Sequence, residues 1–415
     1  MRFPHSNSAP ANATIHPRAG RPALGLIPGR RALFLIALLA TTGFGLVLAL
    51  AVTGRDSDAS LSGDLAALRS EAGTLIVYSE FGQWADTIWA ADPNDPANRV
   101  ALASIDHAYG FGITPVLSPD GVHIAYTVRA GDAAESAGGE LWLLDVETGA
   151  AKRLAQQVDL AGAPVWSPES DAVFVRRSGA NGAELVRVEL SGAATVLAAA
   201  TNSLASSANG LYIIDVSPDG EWLYYAVLSA GGTDVARASV HSGKQEPVAH
   251  LSDGFSRDWK LSPNGDRLSY LAQANSGSSV TFVAQVLDIS TGLTETPLAG
   301  TPVAQFNPVW ERGGGLTIGQ ISDGGAASGG AGDAPLRLNA AGAVTAVALP
   351  EPASGFDVPL SWSPDGAHLA VRSFEGRSAA DPGPSRVVVV RTDGARFELS
   401  RQSDIFVAGW LTGGS

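Results

Sequence analysis

The chain has 415 residues, with 27 lysines and arginines against 41 aspartates and glutamates, so its formal net charge is −14 at neutral pH. Five arginines and no acid fall in residues 1–31, which leaves the remainder strongly acidic and argues against a nucleic-acid partner, whose phosphates require lysine and arginine. The absence of cysteine excludes disulfides, thiolate zinc sites and thiol nucleophiles.

Two N-terminal segments precede the bulk of the chain. Residues 1–31 are polar and proline-rich, which is typical of a disordered tail. The uncharged run 32–52 begins at Ala32 and ends at Val52, and at ~1.5 Å per residue it can cross a hydrocarbon core of roughly 30 Å. Because the arginines precede it, we predict an uncleaved signal anchor, a cytoplasmic N-terminus and an extracytoplasmic domain. A cleaved signal peptide is the alternative, and the protein would then be secreted.

Residues 53–73 are predicted to form a stalk that connects the anchor to the domain. Leu61, Leu65, Ala66 and Leu68 have the spacing of a short helix. Strand-like runs follow at 74–78, 87–91 and 100–103, with a hairpin at 92–95 between the last two. No turn motif of the kind described next precedes these three strands, so they lack a first strand.

A turn motif recurs along the rest of the chain, with Ser-Pro-Asp-Gly between an apolar residue and an alternating apolar strand, as in Trp362–Val371. Pro suits position i+1 of a type I turn and Gly suits position i+3. The serine, or the residue equivalent to it, is found at Ser118, Ser167, Ser217, Ser262, Glu311, Ser363 and Leu411. A hairpin motif of the type Asp-x-x-Thr-Gly lies between these turns, at 145–149 and 288–292. A period of roughly 50 residues with four short strands indicates propeller blades.

The sequence therefore predicts an all-β fold, a seven-bladed β-propeller over residues 74–415. The final run 404–410 supplies the first strand that the N-terminal blade lacks, so both ends pair in one blade and hide the open edges. The degenerate repeat around Glu311 leaves six or eight blades as alternatives.

The repeat resembles the TolB-type WD-like propeller repeat, in which a Ser-Pro-Asp-Gly turn is followed by an apolar strand and an Asp-x-x-Thr-Gly hairpin. The resemblance covers about residues 74–412. It implies the propeller fold but little about function, because that family includes both an envelope-protein scaffold and the propellers of prolyl oligopeptidases. No Gly-x-Ser-x-Gly motif of a hydrolase domain is present.

Several residues that could in principle act in catalysis or bind a metal are better explained by structural roles. His123 and His368 occupy matching places after a turn and form no metal-ligand motif, and the turn aspartates Asp120, Asp219 and Asp365 suit turn geometry. The tryptophans that recur at one blade position are expected between blades: Trp166, Trp310, Trp362 and Trp410. We predict no catalytic residue, no cofactor-binding residue and no metal ligand.

One candidate binding site emerges from the connections that enter the first strands. They carry a set of charged and aromatic residues that would surround one mouth of the channel: Asp106, His107, Tyr109, Asp159, Asp253, Arg257, Asp258, Asp357 and Asp404. Phe111, Phe255 and Phe356 precede their turn motifs by the same interval. Such a ring would attract a cationic ligand, a metal ion or a basic protein segment, and the competing interpretation is an ordinary acidic loop surface.

Two classes of function follow. The first is a non-catalytic scaffold anchored outside a membrane, which binds an envelope protein or a cationic ligand. The second is a propeller enzyme, a metal-dependent lyase or hydrolase with its site in the channel. The shortage of histidine favours the scaffold.

Overall fold

A computed structural model describes residues 56–131, 138–179, 182–200, 210–276, 279–300, 304–321, 332–345, 348–376, 378–399 and 404–413. The predicted tail and anchor, residues 1–52, lie outside these ranges. Within the described ranges, no helix has the length and apolar character needed to cross a membrane. The described residues belong to the compact unit Ala49–Ser415.

The secondary structure is one helix followed by strands. The helix α1 is Asp56–Ala72. The first strands are β1 Thr74–Glu80, β2 Ala85–Asp92, β3 Asp95–Asp106, β4 Thr114–Leu117, β5 His123–Val128, β6 Gly139–Asp145, β7 Ala151–Val158, β8 Val165–Trp166, β9 Ala172–Gly179, β10 Gly182–Glu189 and β11 Ala194–Ala199. The next are β12 Gly210–Val216, β13 Trp222–Ser229, β14 Gly232–Ser239, β15 Gln245–Ser252, β16 Ser256–Leu261, β17 Arg267–Ser276, β18 Ser279–Asp288 and β19 Thr294–Glu295. The last are β20 Ala304–Trp310, β21 Leu316–Ile321, β22 Leu336–Leu338, β23 Phe356–Trp362, β24 His368–Phe374, β25 Ser385–Arg391, β26 Arg396–Glu398 and β27 Ile405–Thr412.

Consecutive strands pair in antiparallel sheets, as the hairpin signals predict. Four-stranded sheets have the orders β12-β13-β14-β15, β16-β17-β18-β19 and β23-β24-β25-β26, and β20-β21-β22 form a three-stranded sheet. Strands β4 to β11 form one larger sheet, in which a single pair, Val158 with Arg177, joins β7 to β9. The fold is thus an all-β propeller of curled sheets.

The predicted pairing of the two ends is confirmed. The remaining sheet has the order β27-β1-β2-β3, and β27 pairs antiparallel with β1 from Thr74 opposite Thr412 to Glu80 opposite Ile405. The predicted hairpin at 92–95 joins β2 to β3, where Asp92 pairs with Asp95. The first and last strands of the chain, β1 and β27, are therefore partners of each other, so neither is left unpaired.

The Ser-Pro-Asp-Gly motif acts as a turn through its side chains. Ser118 Oγ accepts the N–H of His123 at 2.9 Å and donates to Asp120, which in turn accepts the N–H of Val122 at 3.0 Å. The equivalent serines Ser217, Ser262 and Ser363 accept the corresponding N–H groups. The structural interpretation of the turn aspartates is therefore confirmed.

The recurring tryptophans lie between neighbouring sheets, as predicted. The indole N–H of Trp310 donates to the carbonyl oxygen of Lys260 at 2.9 Å, so it bridges β20 and β16. Trp362 and Trp410 make comparable bridges, and Trp166 links β8 to Val116 of β4 within the larger sheet. His123 packs against Trp166 and His368 against Trp410, with ring centroids 6.5 and 6.2 Å apart, which confirms a structural role for both histidines.

The segment predicted as a stalk is folded onto the propeller. The predicted helix exists as α1, and Leu65 and Leu68 are buried in one cluster with Leu75, Val77 and Leu102 of the end-pairing sheet. Ala66 lies on the exposed side of the helix. Because two leucines one turn apart bury their side chains against β1 and β3, α1 is part of the domain core and not a free spacer.

Candidate functional site

The predicted binding residues lie at one end of the strands. The connections from β3 to β4, β7 to β8 and β15 to β16 all leave the sheets at the end opposite the Ser-Pro-Asp-Gly turns, because strand direction alternates. The β1–β2 connection, residues 81–84, lies at the same end. We call this end of the propeller the connection face.

The most prominent feature of the connection face is a group of exposed aromatic side chains. Trp84 is 64% exposed, Tyr109 58% and Phe111 42%. The rings of Trp84 and Tyr109 touch, with centroids 4.9 Å apart and planes tilted by 52°. The guanidinium carbon of Arg129 lies 4.5 Å from the centroid of Phe111. We call Trp84, Tyr109 and Phe111 the aromatic platform.

Backbone hydrogen bonds hold the two loops of the platform together. The N–H of His107 donates to the carbonyl oxygen of Trp84 at 2.8 Å, and the N–H of Gly110 donates to that of Gln83 at 3.1 Å. The N–H of Ala108 donates to the carbonyl oxygen of Arg129 at 2.8 Å. The aromatic platform thus rests on loops whose backbone is fixed before any partner arrives, which lowers the entropy lost on binding.

A buried carboxylate lies beneath these loops. Asp86, 2% exposed, accepts the N–H of Gly82 at 3.0 Å and that of Ile113 at 2.8 Å, and His107 Nε2 lies 2.9 Å from its Oδ1. The His107 side chain is fully buried, and its Nδ1 faces the carbonyl oxygen of Ala108 at 2.9 Å. Both ring nitrogens face oxygen atoms, so the ring is held from two sides between Asp86 and the backbone of Ala108. His107 therefore positions the loops and does not reach a ligand directly.

Asp106 and Asp404 are the predicted acids that adjoin the aromatic platform. Asp106 is exposed at the end of β3, directly before His107. Asp404 is also exposed, and its carbonyl oxygen accepts the N–H of Phe81, which stacks on the His107 ring. Both carboxylates are therefore available to a partner that docks on the platform.

Two other predicted acids are neutralised by arginines within the fold. Asp357 is fully buried and forms a two-point ion pair with Arg396, at 2.7 and 3.1 Å. Asp159 pairs with Arg176, whose guanidinium lies over the ring of Tyr212. Neither carboxylate is free to bind a cation, so the structure does not assemble a continuous acidic ring.

Asp253 belongs to a small exposed cluster around His250. His250 Nδ1 lies 2.7 Å from Asp234 and its Nε2 lies 3.1 Å from Asp253. The hydrogen bond to Asp234 raises the pKa of His250, and Asp253 adds to the effect. The carboxylate of Asp253 is fully exposed.

Arg257 and Asp258 lie at an irregularity in β16. The register between β16 and β17 shifts between Arg257 and Lys260, and Asp258 has a positive φ of 56°. Arg257 lies over the ring of Phe282 at 4.5 Å and 3.5 Å from the Asp258 carboxylate. Burial raises the pKa of Asp258, and the charges of Arg257 and Lys260 oppose that rise.

Sequence reasoning identified Tyr109 and Phe111 but missed Trp84 and Asp86. Trp84 lies in a connection without a repeated motif, and Asp86 occupies a strand position where an alternating pattern signals only burial. Among the described residues, no three His, Asp or Glu side chains are grouped so that they could hold a metal ion.

Comparison with known structures places the fold. TolB from Acinetobacter baumannii aligns over 80% of this chain and 65% of its own, with 16% identity and a TM-score of 0.46. Prolyl oligopeptidase B from Galerina marginata aligns over 84% and 53%, with 12% identity and a TM-score of 0.56. An oligogalacturonate lyase in complex with manganese aligns over 79% and 85%, with 13% identity and a TM-score of 0.52. The chain thus spans only about half to two thirds of the first two proteins.

A search of curated protein sequences found no relative. At these identities the structural likeness shows the fold alone, and the sequence match is the stronger finding. The family model of the TolB beta propeller domain matches residues 76–308, more than half of the chain. The chain therefore belongs to the TolB β-propeller domain family.

Proposed function

We propose that this protein is a membrane-anchored, extracytoplasmic propeller that acts as a non-catalytic scaffold and binds a partner protein through the aromatic platform. The uncharged run from Ala32 to Val52, preceded by arginines, supports the anchor. We infer seven blades. Only one residue pair joins β7 to β9, so the larger sheet counts as two blades, β4–β7 and β8–β11. The isolated pair Leu338–Val344 adds a fourth segment beside β22 in the three-stranded sheet.

The aromatic platform is the observation that carries this proposal. Large aromatic side chains are enriched among the residues that dominate the energetics of protein interfaces, and exposed apolar patches with polar residues around them mark interaction sites. The exposed carboxylates of Asp106 and Asp404 would form part of a polar rim that favours a partner with basic residues around an apolar anchor. An envelope protein next to the membrane has the required location.

The test is capture of a partner by the full-length protein in its own membrane. Trp84→Ala and Tyr109→Ala are combined, the protein is crosslinked in situ and purified, and co-purified proteins are quantified by mass spectrometry. Because hot-spot side chains contribute at least about 1–2 kcal/mol each, the recovery of a specific partner should fall at least tenfold.

Leu293→Ala is the matched control. Leu293 is 68% exposed on the hairpin between β18 and β19, at the end of the strands opposite the connection face. Its substitution therefore removes exposed apolar surface without changing the aromatic platform. Equal recovery of every partner by wild type and by the double variant would refute the platform as the binding surface.

A second candidate, a metal-dependent lyase or hydrolase with its site in the channel, is favoured by the likeness to a propeller lyase solved with manganese. The described residues offer no ready group of metal ligands, so this candidate stands behind the scaffold. Metal analysis of the full-length protein after incubation with manganese and gel filtration separates the two: one retained ion per chain would favour the enzyme.

A further inference from the structure

A second concave site lies away from the aromatic platform. A cavity of about 430 Å³ is lined by residues of β12, β16, β20 and β23, the inner strands of four successive sheets, together with Pro218 and Pro263 of two Ser-Pro turns. It therefore opens at the turn end of the channel, opposite the connection face. Its volume falls within the range of about 300–1,000 Å³ that is usual for small-molecule sites.

Two opposite charges face this cavity. Asp215 of β12 and Lys260 of β16 both line it. Asp215 Oδ1 accepts the N–H of Val216 at 2.9 Å, and within the described part of the chain neither its Oδ2 nor Lys260 Nζ has a hydrogen-bond or ion-pair partner. Burial raises the pKa of Asp215, and the backbone N–H of Val216 and the charge of Lys260 oppose that rise.

The backbone of Lys260 is fixed where β16 passes the cavity. The Lys260 carbonyl oxygen is fixed by the indole N–H of Trp310 at 2.9 Å. Asp258, the nearest other carboxylate, accepts the backbone N–H of Asn307 and lies 3.5 Å from Arg257. The irregularity of β16 and the positive φ of Asp258 accompany these contacts, and the charge of Lys260 acts on the carboxyl of Asp258 as well as on that of Asp215.

The rest of the lining is mainly apolar. Val309, Trp310 and Leu360 contribute side chains from the two adjoining inner strands, and Leu261 closes the wall next to Lys260. A charged pair that is not joined directly, set in an apolar wall, is complementary to a small molecule with both charges and an apolar body.

We infer that this cavity binds a small zwitterion of amino-acid or dipeptide size with an aliphatic side chain. Its carboxylate would pair with Lys260 and its ammonium group with Asp215, while the side chain would pack on Val309 and Leu360. This site is independent of the proposed scaffold function, since it lies at the other end of the channel from the aromatic platform.

The experiment is calorimetric titration of the full-length protein in detergent with three probes of one shape: L-leucine, 4-methylpentanoate without the amine, and 3-methylbutylamine without the carboxylate. Because each charge-assisted hydrogen bond contributes about 1.5–3 kcal/mol, each single-charge probe should bind at least tenfold more weakly than leucine. This comparison uses only wild-type protein and does not depend on the folding of a variant.

Asp215→Asn and Lys260→Gln should each weaken leucine binding at least tenfold, whereas Lys152→Gln, an exposed lysine on β7, should not change it. Trp84→Ala should leave it unchanged as well, which separates this site from the platform. No saturation with leucine up to about 10 mM, or equal binding of the amine alone, would overturn the inference.

Discussion

The substitution Asp86→Asn tests whether the aromatic platform depends on its buried support. Asp86 accepts two backbone N–H groups and contacts His107 Nε2, and no part of the His107 side chain is exposed to solvent. An amide keeps one acceptor oxygen and places N–H donors where the carboxylate received hydrogen bonds, so at least one buried donor beneath the platform loses its acceptor. Leaving a buried hydrogen-bonding group unsatisfied costs about 1–3 kcal/mol.

The expected change in melting temperature follows from the size of the domain. Unfolding entropy is about 2.1 cal/mol/K per residue, so the roughly 340 residues of the propeller give ~0.7 kcal/mol/K, and a loss of about 1–3 kcal/mol gives a decrease of about 1.5–4 °C. Differential scanning calorimetry of the full-length protein measures this decrease. Hydrogen exchange should also accelerate at the amide of Gly82 or Ile113, whichever of the two faces the new NH₂ group.

A surface Asp–His pair in the same chain provides the control. Asp234 lies 2.7 Å from His250, and about half of each side chain is exposed. Because exposed pairs contribute at most about 1 kcal/mol, Asp234→Asn should lower the melting temperature by less than about 1.5 °C. If Asp86→Asn were as mild as Asp234→Asn, the buried carboxylate would not be the support that we describe.

Three further predictions concern the propeller itself. Trp310→Phe keeps an aromatic ring, though a smaller one, and removes the indole N–H that bonds across two sheets, so unfolding in denaturant should show a loss of at least about 0.5–1.5 kcal/mol. Burial lowers the pKa of His368 below its unfolded value, so its contribution to stability should be full above pH ~6.5 and decrease as the pH falls through that value. Unfolding of wild type and His368→Gln at two pH values checks this, since the substitution should remove this contribution and leave the opposite one of His250, whose pKa is raised. Gly355→Ala would push a methyl group into the carbonyl oxygen of Phe374 at a positive φ, whereas Gly292→Ala meets nothing at a similar φ; thermal melts should show at least twice the destabilisation for the first.

Much of the fold could be predicted because its signals are local. A Ser-Pro-Asp-Gly segment fixes its own turn, as Ser118 and Asp120 show, and a regular spacing of such turns implies repeated sheets. The pairing of both ends followed from counting: three strands without a first strand, and one strand left over at 404–410. The helix was visible from the spacing of Leu65 and Leu68, but its docking was not, because the spacing does not say which surface the leucines cover.

The candidate site was harder to predict because side-chain partners come from distant positions. Asp357 is paired with Arg396, 39 residues away, and the sequence does not reveal which of several arginines will be within reach. The contact between Trp84 and Tyr109 joins two loops 25 residues apart in a region without a repeated motif. The repeat period identifies residues that recur in every blade, whereas the candidate binding surface consists of residues that do not recur.

The distribution of charge on the connection face explains why aromatic groups, and not the predicted ring of acids, form the best candidate surface. A carboxylate that is partly enclosed by loops loses hydration and is stable only beside a cation, and Asp159 and Asp357 have each acquired an arginine. The acids that remain exposed, such as Asp106 and Asp404, lie in water, where a single contact is weak but a long-range field persists. The acidic domain would therefore accelerate the approach of a basic partner, while the desolvation of Trp84 and its neighbours would supply the affinity.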